Sequence, residues 1–302
     1  DWVFSRQRYW GEPIPIIYCE ECGELPVPEE NLPVELPEVK QYQPSGNGES
    51  PLVTIEEWVK TTCPYCGAPA RRETNTMPQW AGSSWYFLRY PDPHNSEKPW
   101  EEDKVNYWLP VDLYVGGVEH AILHLLYARF FTKFLYDIGT IDFQEPFKRL
   151  FNQGMICKDG TKMSKSRGNV VSPDEIVEEY GTDCLRIYEL FVGPPEQDSE
   201  WNDEGVEGVY RFLNKMWNIC IRSCNNEIKS NETVTKETHK LIQKVKDRVE
   251  DFKLNTAISA FMSYSNFLAR EASSGIDKEN LEIFLNLLAP FAPHFAEEIW
   301  EK

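Results

Sequence analysis

Two short cysteine pairs place the strongest constraint on how this chain can fold. Cys19 and Cys22 form one Cys-x-x-Cys pair, Cys63 and Cys66 form the other, and a glycine follows each pair. The two-residue gap lets both thiolates of a pair reach one ion, and the glycine lets backbone N–H groups turn toward sulfur. Two pairs complete a tetrahedral set, so the pattern predicts a closed, structural zinc site. A redox dithiol, or a site that has lost its metal, is the alternative interpretation.

The cysteine pattern also predicts a separate small unit. Residues 19–70 are rich in Pro and Glu and are typical of a zinc-ribbon-like insert that stands off the main body, with a loose tip near residues 44–51. The other cysteines lie singly or at helical spacing in apolar surroundings, which is typical of buried thiols; they are Cys157, Cys184, Cys220 and Cys224. This cysteine usage indicates a reducing, cytoplasmic compartment.

Composition and charge exclude some classes of protein. No apolar run approaches the ~20 residues of a membrane span, so no membrane partner is expected. The net charge of −18 argues at first against a nucleic-acid partner. The charge is uneven, however, since residues 140–170 hold six Lys/Arg against three acids. A local basic strip on an acidic protein favours a substrate channel, with an accidental basic loop as the alternative.

The basic strip contains a flexible loop flanked by glycines, with the sequence Lys162-Met163-Ser164-Lys165-Ser166. Its two lysines and two hydroxyls offer mobile cations and hydrogen-bond donors to a polyphosphate. No Gly-x-x-x-x-Gly-Lys-Ser/Thr run occurs in the chain, so the loop is not a P-loop. An exposed basic turn is the alternative.

A mostly apolar segment at 111–115 is followed by two glycines, Gly116 and Gly117, and by a predicted helix from about residue 118 to 138. Strand, glycines and helix form the unit that places a nucleotide at a helix N-terminus in a doubly wound sheet. Glu119 lies in the first turn of the predicted helix, where its carboxylate can accept hydrogen bonds from ribose hydroxyls.

Several aromatic and histidine side chains recur at helical spacing. Trp80, Ser83 and Tyr86 are three residues apart, in a segment where a helix is predicted from Ser83, and they could line one wall of an apolar pocket. A plain aromatic core is the alternative, and spacing alone favours it. His120 and His124 are four residues apart, and the pattern alone favours core histidines with satisfied hydrogen bonds over a metal pair.

The two ends of the chain carry different signals. Near the start, Arg6 and Arg8 lie beside Tyr9 and Trp10, a combination that can hold a backbone phosphate and stack a base. An ordinary basic strand entry is the alternative. From Trp201 onward the apolar period is helical and predicts a bundle with helices near 206–218, 234–252, 254–272 and 277–302.

Several blocks together carry a family resemblance. Residues 5–11 match the S-R-Q-R-x-W-G pattern of leucyl-, isoleucyl- and valyl-tRNA synthetases, and more specific matches to the leucine enzymes lie at 77–86, 114–131 and 162–166. Nearly the whole chain resembles the second half of a bacterial-type leucyl-tRNA synthetase, a class I aminoacyl-tRNA synthetase. The resemblance implies an ATP-dependent ligase that makes leucyl-adenylate and transfers leucine to tRNA(Leu).

The same resemblance implies the fold and the domain limits. The chain is expected to be α/β: the second half of a Rossmann-like catalytic domain at 1–18 and 71–199, with the zinc-ribbon-like insert at 19–70. An all-α helical domain of the anticodon-binding type, truncated at its C-terminus, is expected at 200–302.

The resemblance also implies roles for particular residues. Leucine is expected to be bound by Trp80, Ser83, Tyr86, His120 and His124. ATP is expected to be bound by Gly116, Gly117, Glu119, Gln153, Gly154, Met155, Ile156 and Lys165. The catalytic loop is Lys162–Ser166, whose two lysines would stabilise the departing pyrophosphate together with Mg²⁺. The helical domain is expected to contact tRNA, as are Arg6, Arg8 and Trp10.

Some features of the family are absent from this sequence. The His-Ile-Gly-His signature and the editing domain do not occur in it. We therefore expect a piece of a longer enzyme that is inactive alone and that works with a missing N-terminal half, in the same chain or as a separate subunit. The four cysteines are not universal in the family, so zinc is argued from their spacing. The alternatives are a valyl-, isoleucyl- or methionyl-tRNA synthetase fragment and a non-catalytic, zinc-containing RNA-binding protein.

Overall fold

A computed structural model describes residues 3–39, 46 and 48–302. The chain packs as two compact units, Asp1–Phe151 and Asn152–Lys302. The domain limits predicted at residues 18, 70 and 199 stay predictions, and residues 44, 45 and 47 of the predicted loose tip lie outside the described part. No helix in that described part is long and apolar enough to cross a membrane.

The first unit combines short strands and helices. Its strands are β1 (Glu12–Pro13), β2 (Ile16–Cys19), β3 (Gly23–Pro26), β4 (Lys60–Thr62), β5 (Pro69–Arg72), β6 (Thr76–Met77), β7 (Tyr114–Gly116) and β8 (Leu150–Asn152), which ends at the unit boundary. Its helices are α1 (Glu56–Val59), α2 (Trp80–Ser83), α3 (Tyr86–Arg89), α4 (Glu102–Trp108) and α5 (His124–Asp137). The strands form sheets in the orders β3-β2-β5-β4, β1-β6 and β7-β8.

The cysteine-rich segment is an antiparallel sheet with a very small core. The register places Cys19 opposite Gly23 on one side and opposite Ala70 on the other. Its buried apolar residues are Ile17, Cys19, Val27, Cys63 and Ala70. Because this core is small, a cross-link between its strands, of the kind that a metal supplies, would stabilise the sheet.

The N-terminal segment is fixed against the segment that leads into α2. Arg6 N donates to Thr76 O at 2.8 Å and Thr76 N donates to Arg6 O at 2.9 Å, and Glu12 in β1 pairs with Met77 in β6. Gly11 has φ 157°, and a Cβ at this position would lie 2.2 Å from Met77 O. Only glycine permits this close approach of the two backbones.

The single helix predicted over 118–138 is interrupted. Val118–Ala121 forms a 3₁₀ turn, and α5 begins only at His124, because Leu123 has φ −110° and ψ −107°, far from helical values. The predicted end at Gly139 is correct. Thr140 N donates to Leu135 O and Gly139 N donates to Tyr136 O, which is a Schellman motif with glycine in the left-handed conformation.

One other predicted element of the first unit differs in the structure. The helix expected from Ser83 is replaced by two single turns, α2 and α3, because Trp85 between them has φ −129°. Further along the chain, the segment 91–110 contains α4. Helix α4 contributes Val105 to a core whose buried members are Phe87, Leu88, Trp100, Val105, Ala128, Leu135 and Ile141.

The second unit begins with a small sheet and continues as helices. Strands β9 (Ile156–Lys158), β10 (Thr161–Lys162) and β11 (Ser199–Glu200) have the order β10-β9-β11. The helices are α6 (Pro173–Tyr180), α7 (Thr182–Phe191), α8 (Asp203–Asn225), α9 (Glu232–Glu250), α10 (Leu254–Glu271), α11 (Lys278–Leu288) and α12 (Pro293–Trp300). One buried apolar cluster runs from Cys184 to Ile299 and joins α7 to the helices that follow.

The helix predicted over 277–302 is two helices, α11 and α12. Pro290 and Pro293 interrupt it, since proline lacks the N–H that a continuous helix requires, and Pro293 takes the first position of α12. The start of α12 is capped from α7. Asp183 Oδ2 accepts from Phe295 N at 2.6 Å, and Asp183 Oδ1 lies 2.8 Å from His294 Nδ1.

We expect Asp183→Ala to lower the free energy of unfolding of the second unit by about 1–3 kcal/mol, because the buried cap of α12 is lost. Urea denaturation followed by helical circular dichroism measures this change. Asp183→Asn should cost less, since its amide oxygen still accepts from Phe295 N. Exposed Asp247→Ala is the matched control and should stay within about 0.5 kcal/mol of the native chain. Equal stability of Asp183→Ala and Asp247→Ala would contradict the cap.

Candidate active-site residues and the four-cysteine centre

The four cysteines predicted to bind zinc come together in the structure. Their sulfur atoms all lie within 4.8 Å of one another, and Cys19 Sγ is 3.6 Å from Cys66 Sγ. A disulfide requires about 2.05 Å, whereas two thiolates on one tetrahedral zinc lie roughly 3.7 Å apart, given Zn–S bonds of about 2.3 Å. Gly23 and Gly67, with φ 79° and 76°, form the turns that follow each pair. The cluster therefore has the geometry of a metal centre.

The local backbone prepares one of these thiols to ionise. A hydrogen bond from the backbone of Cys66, helped by a weaker one from Tyr65, lowers the pKa of Cys63 to about 6 against the opposing effect of desolvation. The thiolate is the form that binds metal. Four sulfur donors, without a histidine or a carboxylate among them, fit structural zinc and leave no open coordination position for catalysis.

The residues expected to bind leucine form one aromatic cluster in the first unit. The ring of Trp80 lies 5.6 Å from that of His120, and the ring of Tyr86 lies 5.6 Å from that of His124. The two histidine rings are 6.4 Å apart and nearly perpendicular, at 83°. Helix α2, which carries Ser83, packs against α5, which begins at His124.

Tyr114 belongs to the same cluster and was not predicted as a site residue. Its ring lies 5.6 Å from that of His124 and 4.5 Å from that of Phe147. A signal was present in the sequence, because Tyr114 is two residues before Gly116 in the same short strand and so points to the same side of the sheet.

The cluster contains buried polar atoms without partners. His124 is only 3% exposed, and neither of its ring nitrogens has a hydrogen-bond partner among the described residues. Ser83 Oγ and His120 Nδ1 are likewise buried and unpaired in that part of the chain. His124 is therefore buried, as expected of a core histidine, but its ring nitrogens are not satisfied by the described residues. Most buried polar atoms in folded chains are paired, and four unpaired ones lie in this cluster, so the cluster can offer hydrogen bonds to a polar ligand.

Burial also sets the protonation of the cluster. Desolvation is the main cause that lowers the pKa of His124 below its usual 6.5, and repulsion from His120 adds to it. Desolvation likewise raises the pKa of Tyr86 and of Tyr114. At neutral pH the side chains of Tyr86, Tyr114 and His124 are therefore uncharged.

The Gly-Gly segment lies under the side chain of Glu119. A Cβ on Gly117 would lie 2.2 Å from Glu119 Oε2, and a Cβ on Gly116 would lie 2.9 Å from the Tyr114 ring. Glu119 is exposed and sits in the 3₁₀ turn rather than in the first turn of α5. The sequence predicted a long helix directly after the glycines, with a ligand at its N-terminus. That helix prediction is wrong, because a 3₁₀ turn follows the glycines and α5 begins only at His124.

In the second unit, residues 153–156 run beside the segment that leads into β11. Gly154 N donates to Pro195 O, Met155 N donates to Asp198 Oδ1, and Ser199 N donates to Met155 O, at 2.9, 2.7 and 2.9 Å. A Cβ on Gly154 would lie 2.2 Å from Gln197 O. Both backbone polar groups of Met155 thus already have protein partners, and Gln153 is exposed.

The predicted catalytic loop follows a tight hairpin. Asp159 and Gly160, with φ 56° and 68°, join β9 to β10, and two left-handed residues in a two-residue turn match the right-handed twist of the strands. Lys165–Arg167 forms a 3₁₀ turn, closed by Gly168 at φ 69°. Met163 is half-buried and packs against the apolar core of the second unit. The loop is therefore fixed at its ends and at Met163.

The cationic side chains of this loop form no ion pair with the described residues. Lys162, Lys165 and Arg167 are exposed, and none forms an ion pair within the described part of the chain. Some lysines elsewhere in the chain are paired, such as Lys148 with Asp112 at 2.8 Å. The positive charge of the loop is thus available to an anionic ligand.

The residues expected to contact tRNA lie near the start of the chain. Arg6 is held by its backbone against Thr76, Arg8 is exposed, and Trp10 is 74% exposed. Tyr9 is anchored, since its hydroxyl donates to Pro37 O at 2.8 Å. An exposed indole beside two guanidiniums is suited to base stacking and phosphate contact.

Comparison with known proteins places this chain in a family. Residues 1–202 match the model of tRNA synthetases class I (I, L, M and V), and residues 231–302 match the anticodon-binding domain of tRNA ligase. The chain therefore belongs to the class I tRNA synthetases, with a mixed α/β region that carries the cysteine cluster and a helical anticodon-binding domain. The predicted fold class is confirmed.

Within this family the chain is a homologue of leucine–tRNA ligase. It is 52% identical to the enzymes of Fervidobacterium nodosum and Thermotoga maritima over 99% of its length, but it spans only 39% of each. The structure of Agrobacterium radiobacter K84 LeuRS in a ternary complex with tRNA and LeuAMS matches 99% of this chain and 41% of that one, with 43% identity and a TM-score of 0.87. The predicted family and its leucine branch are confirmed.

A more distant match shares the fold. Mycobacterium tuberculosis methionyl-tRNA synthetase, whose structure contains methionyl-adenylate, is 19% identical with a TM-score of 0.58 over 79% of this chain.

We expect the chain, purified without chelators, to contain about one zinc ion, the stoichiometry of a single four-thiolate centre. Elemental analysis by mass spectrometry measures it. The double substitution Cys22→Ser and Cys66→Ser should remove most of the metal, while half-buried Cys157→Ser keeps it. Equal zinc contents in the double variant and in the native chain would contradict the assignment.

We also expect His124 to make the chain less stable in acid. Because its pKa in the folded chain is below 6.5, the unfolded chain binds more protons in that range, so stability is full above pH 6.5 and falls as the pH drops below it. The free energy of unfolding changes by at most about 1.4 kcal/mol per pH unit because of His124. Urea denaturation from pH 7 to 5 should show a smaller loss for His124→Phe than for the exposed control His239→Phe. Identical pH profiles would contradict this expectation.

Proposed function

We propose that this chain forms part of the synthetic site of a leucine–tRNA ligase. In the proposed reaction a carboxylate oxygen of leucine attacks the α-phosphorus of ATP, the bond to pyrophosphate breaks, and leucine passes from the resulting adenylate to tRNA(Leu). The observation that carries the proposal is the aromatic cluster with four unpaired, buried polar atoms on Ser83, His120 and His124. The identity with leucine–tRNA ligases supports it.

The aromatic cluster is proposed to bind leucine. Trp80, Tyr86 and His124 supply apolar ring faces, which favour an aliphatic side chain. The unpaired atoms of Ser83 and His120 supply hydrogen bonds that orient the substrate. Because His124 is neutral, the cluster adds no charge that would repel a zwitterionic amino acid.

The Lys162–Ser166 loop is proposed to act on the phosphates of ATP. Negative charge accumulates on the departing pyrophosphate in the transition state, and exposed, unpaired cations can follow it. Mg²⁺, when bound, would share in neutralising that charge. The remaining proposed ATP contacts are Gly116, Gly117, Glu119, Gln153, Gly154, Met155 and Ile156. Because Met155 N and O already have protein partners, its contribution would come through the side chain or a shared hydrogen bond.

The cysteine cluster and the basic N-terminal segment have supporting roles. Cys19, Cys22, Cys63 and Cys66 are proposed to hold Zn²⁺, which would cross-link a sheet that has little core of its own. Arg6, Arg8 and Trp10 are proposed to contact the acceptor end of tRNA, and the helical domain its stem. The enzyme is proposed to act in the cytoplasm.

The proposed partner of this chain is the region of its relatives that it does not span. The first signature of the class, His-Ile-Gly-His, does not occur in this sequence. We therefore propose that the chain alone does not form leucyl-adenylate. The identity of 52% to leucine enzymes favours leucine over valine, isoleucine or methionine as the substrate. A purely RNA-binding role would leave the aromatic cluster and the loop cations without a function.

Leucine-dependent exchange of pyrophosphate into ATP tests this function. We expect exchange by the complete enzyme, full-length or reconstituted with an N-terminal half, and none by this chain alone. Lys165→Ala should lower the turnover number about 100- to 1,000-fold, the usual cost of removing one donor from a transition-state contact. Lys165→Arg should retain more activity because it keeps the charge.

Exposed Lys236→Ala on α9 is the matched control and should exchange normally. Robust exchange by the chain alone, or full turnover by Lys165→Ala, would contradict the proposed roles. Faster exchange with isoleucine, valine or methionine than with leucine would contradict the substrate.

A further inference from the structure

One side chain outside the catalytic loop holds it together. Asn169 Oδ1 accepts from Ser164 N at 2.9 Å, within the loop. Asn169 Nδ2 donates to Lys158 O at 3.1 Å and to Thr161 Oγ1 at 3.2 Å, both in the preceding hairpin, with a weaker contact to Lys162 O at 3.5 Å. The amide thus links the hairpin to the loop.

The chemistry of these contacts requires an amide. One side of the group faces an N–H donor and the other faces oxygen acceptors, so a carboxylate would place an oxygen against Lys158 O, and a hydroxyl could not reach both. The amide has two N–H groups, and the two shorter contacts use both of them. Asn169 is half-buried, so these bonds are partly shielded from water.

The position of Ser164 explains what the amide controls. Ser164 is the residue before the 3₁₀ turn Lys165–Arg167, and its carbonyl accepts from Arg167 N at 3.1 Å. Fixing Ser164 N therefore fixes the start of the turn that carries Lys165. On the other side, the contacts to Lys158 and Thr161 fix the hairpin that carries Lys162. Both lysines are thereby tied to one rigid group, while their own side chains remain exposed and unpaired within the described residues.

We propose that Asn169 is a positioning residue that pre-organises the two loop lysines for the departing pyrophosphate. It touches no substrate itself and acts through Lys165 and Lys162. This inference rests on the proposed function of the loop. Its consequence is a transition-state effect, because misplaced cations stabilise the developing charge poorly while the leucine cluster, in another unit of the chain, is unchanged.

The test uses leucine-dependent pyrophosphate exchange by the complete enzyme. Asn169→Ala should lower the turnover number about 10- to 100-fold, with the KM for leucine unchanged within about twofold. Asn169→Asp, which keeps the acceptor for Ser164 N but loses both donors, should also be impaired. Thr161→Val removes one acceptor without adding charge and should show a smaller loss. Asn286→Ala, which removes a side chain-to-carbonyl bond on α11, is the matched control and should be normal.

A double-mutant cycle separates positioning from general instability. If Asn169 acts partly through Lys165, the loss of turnover in the variant Asn169→Ala with Lys165→Ala should be smaller than the product of the two single losses. Asn169→Ala should also increase tryptic cleavage after Lys162, Lys165 and Arg167, mapped by mass spectrometry, without changing the melting temperature of the enzyme.

The following outcomes would contradict either this inference or the proposed function on which it rests. Turnover of Asn169→Ala within twofold of the native enzyme, or fully multiplicative losses in the double variant, would overturn the inference. A proportional loss of folded enzyme would also overturn it. If Lys165→Ala exchanges pyrophosphate at the native rate, the proposed function of the loop is contradicted. If Lys165→Ala is slow but Asn169→Ala is normal, only the role of Asn169 is contradicted.

Discussion

The break in the backbone at Leu123 determines how the site residues of the first unit are arranged. In a continuous helix, side chains four residues apart stack along one face. Here His120 belongs to a 3₁₀ turn and His124 opens α5, so their rings are nearly perpendicular and each contacts a different aromatic partner, Trp80 or Tyr86. The break also leaves Glu119 folded over Gly117 instead of along a helix. One non-helical residue thus gives the two histidines different aromatic neighbours within one cluster.

That cluster carries a cost in the free chain. Each buried polar atom without a partner costs about 1–3 kcal/mol, and the ring nitrogens of His124 are two such atoms. The surrounding core of aromatic and aliphatic side chains offsets this cost, and a bound substrate with matching polar groups would remove part of it. In the proposed leucine pocket, this cost would favour occupancy by the substrate.

The cysteine cluster and the Lys162–Ser166 loop share one local feature. Both depend on residues with positive φ that turn the backbone sharply: Gly23 and Gly67 after the cysteine pairs, and Asp159 with Gly160 before the loop. In each case the turn brings backbone N–H groups or side chains into a fixed relation over a few residues. The two segments differ in what the turns position. The four sulfur atoms lie within 4.8 Å of one another, whereas the loop lysines are exposed and can move toward the negative charge of a ligand.

Local sequence patterns were sufficient to predict many features of this protein. Cys-x-x-Cys-Gly spacing predicted the cluster of four thiols, and the blocks around Trp80, Gly116 and Lys162 identified the family. These features depend on neighbours within a few residues, or on motifs that a family repeats. The interruptions at Leu123 and between α2 and α3 were not predicted, because both segments have helical periodicity and the packing of aromatic side chains overrides it.

Tertiary structure alone decided which polar groups are satisfied. The partners of Asn169 lie 5 to 11 residues away, and the cap that Asp183 gives to Phe295 spans 112 residues. The absence of partners for His124 within the described chain is equally a property of its packing. Hydrogen bonding and burial depend on which segments meet in space, and a residue pattern does not specify that meeting. The sequence therefore determined the family and the four clustered cysteines, and the folded chain determined which polar groups of the candidate site have partners.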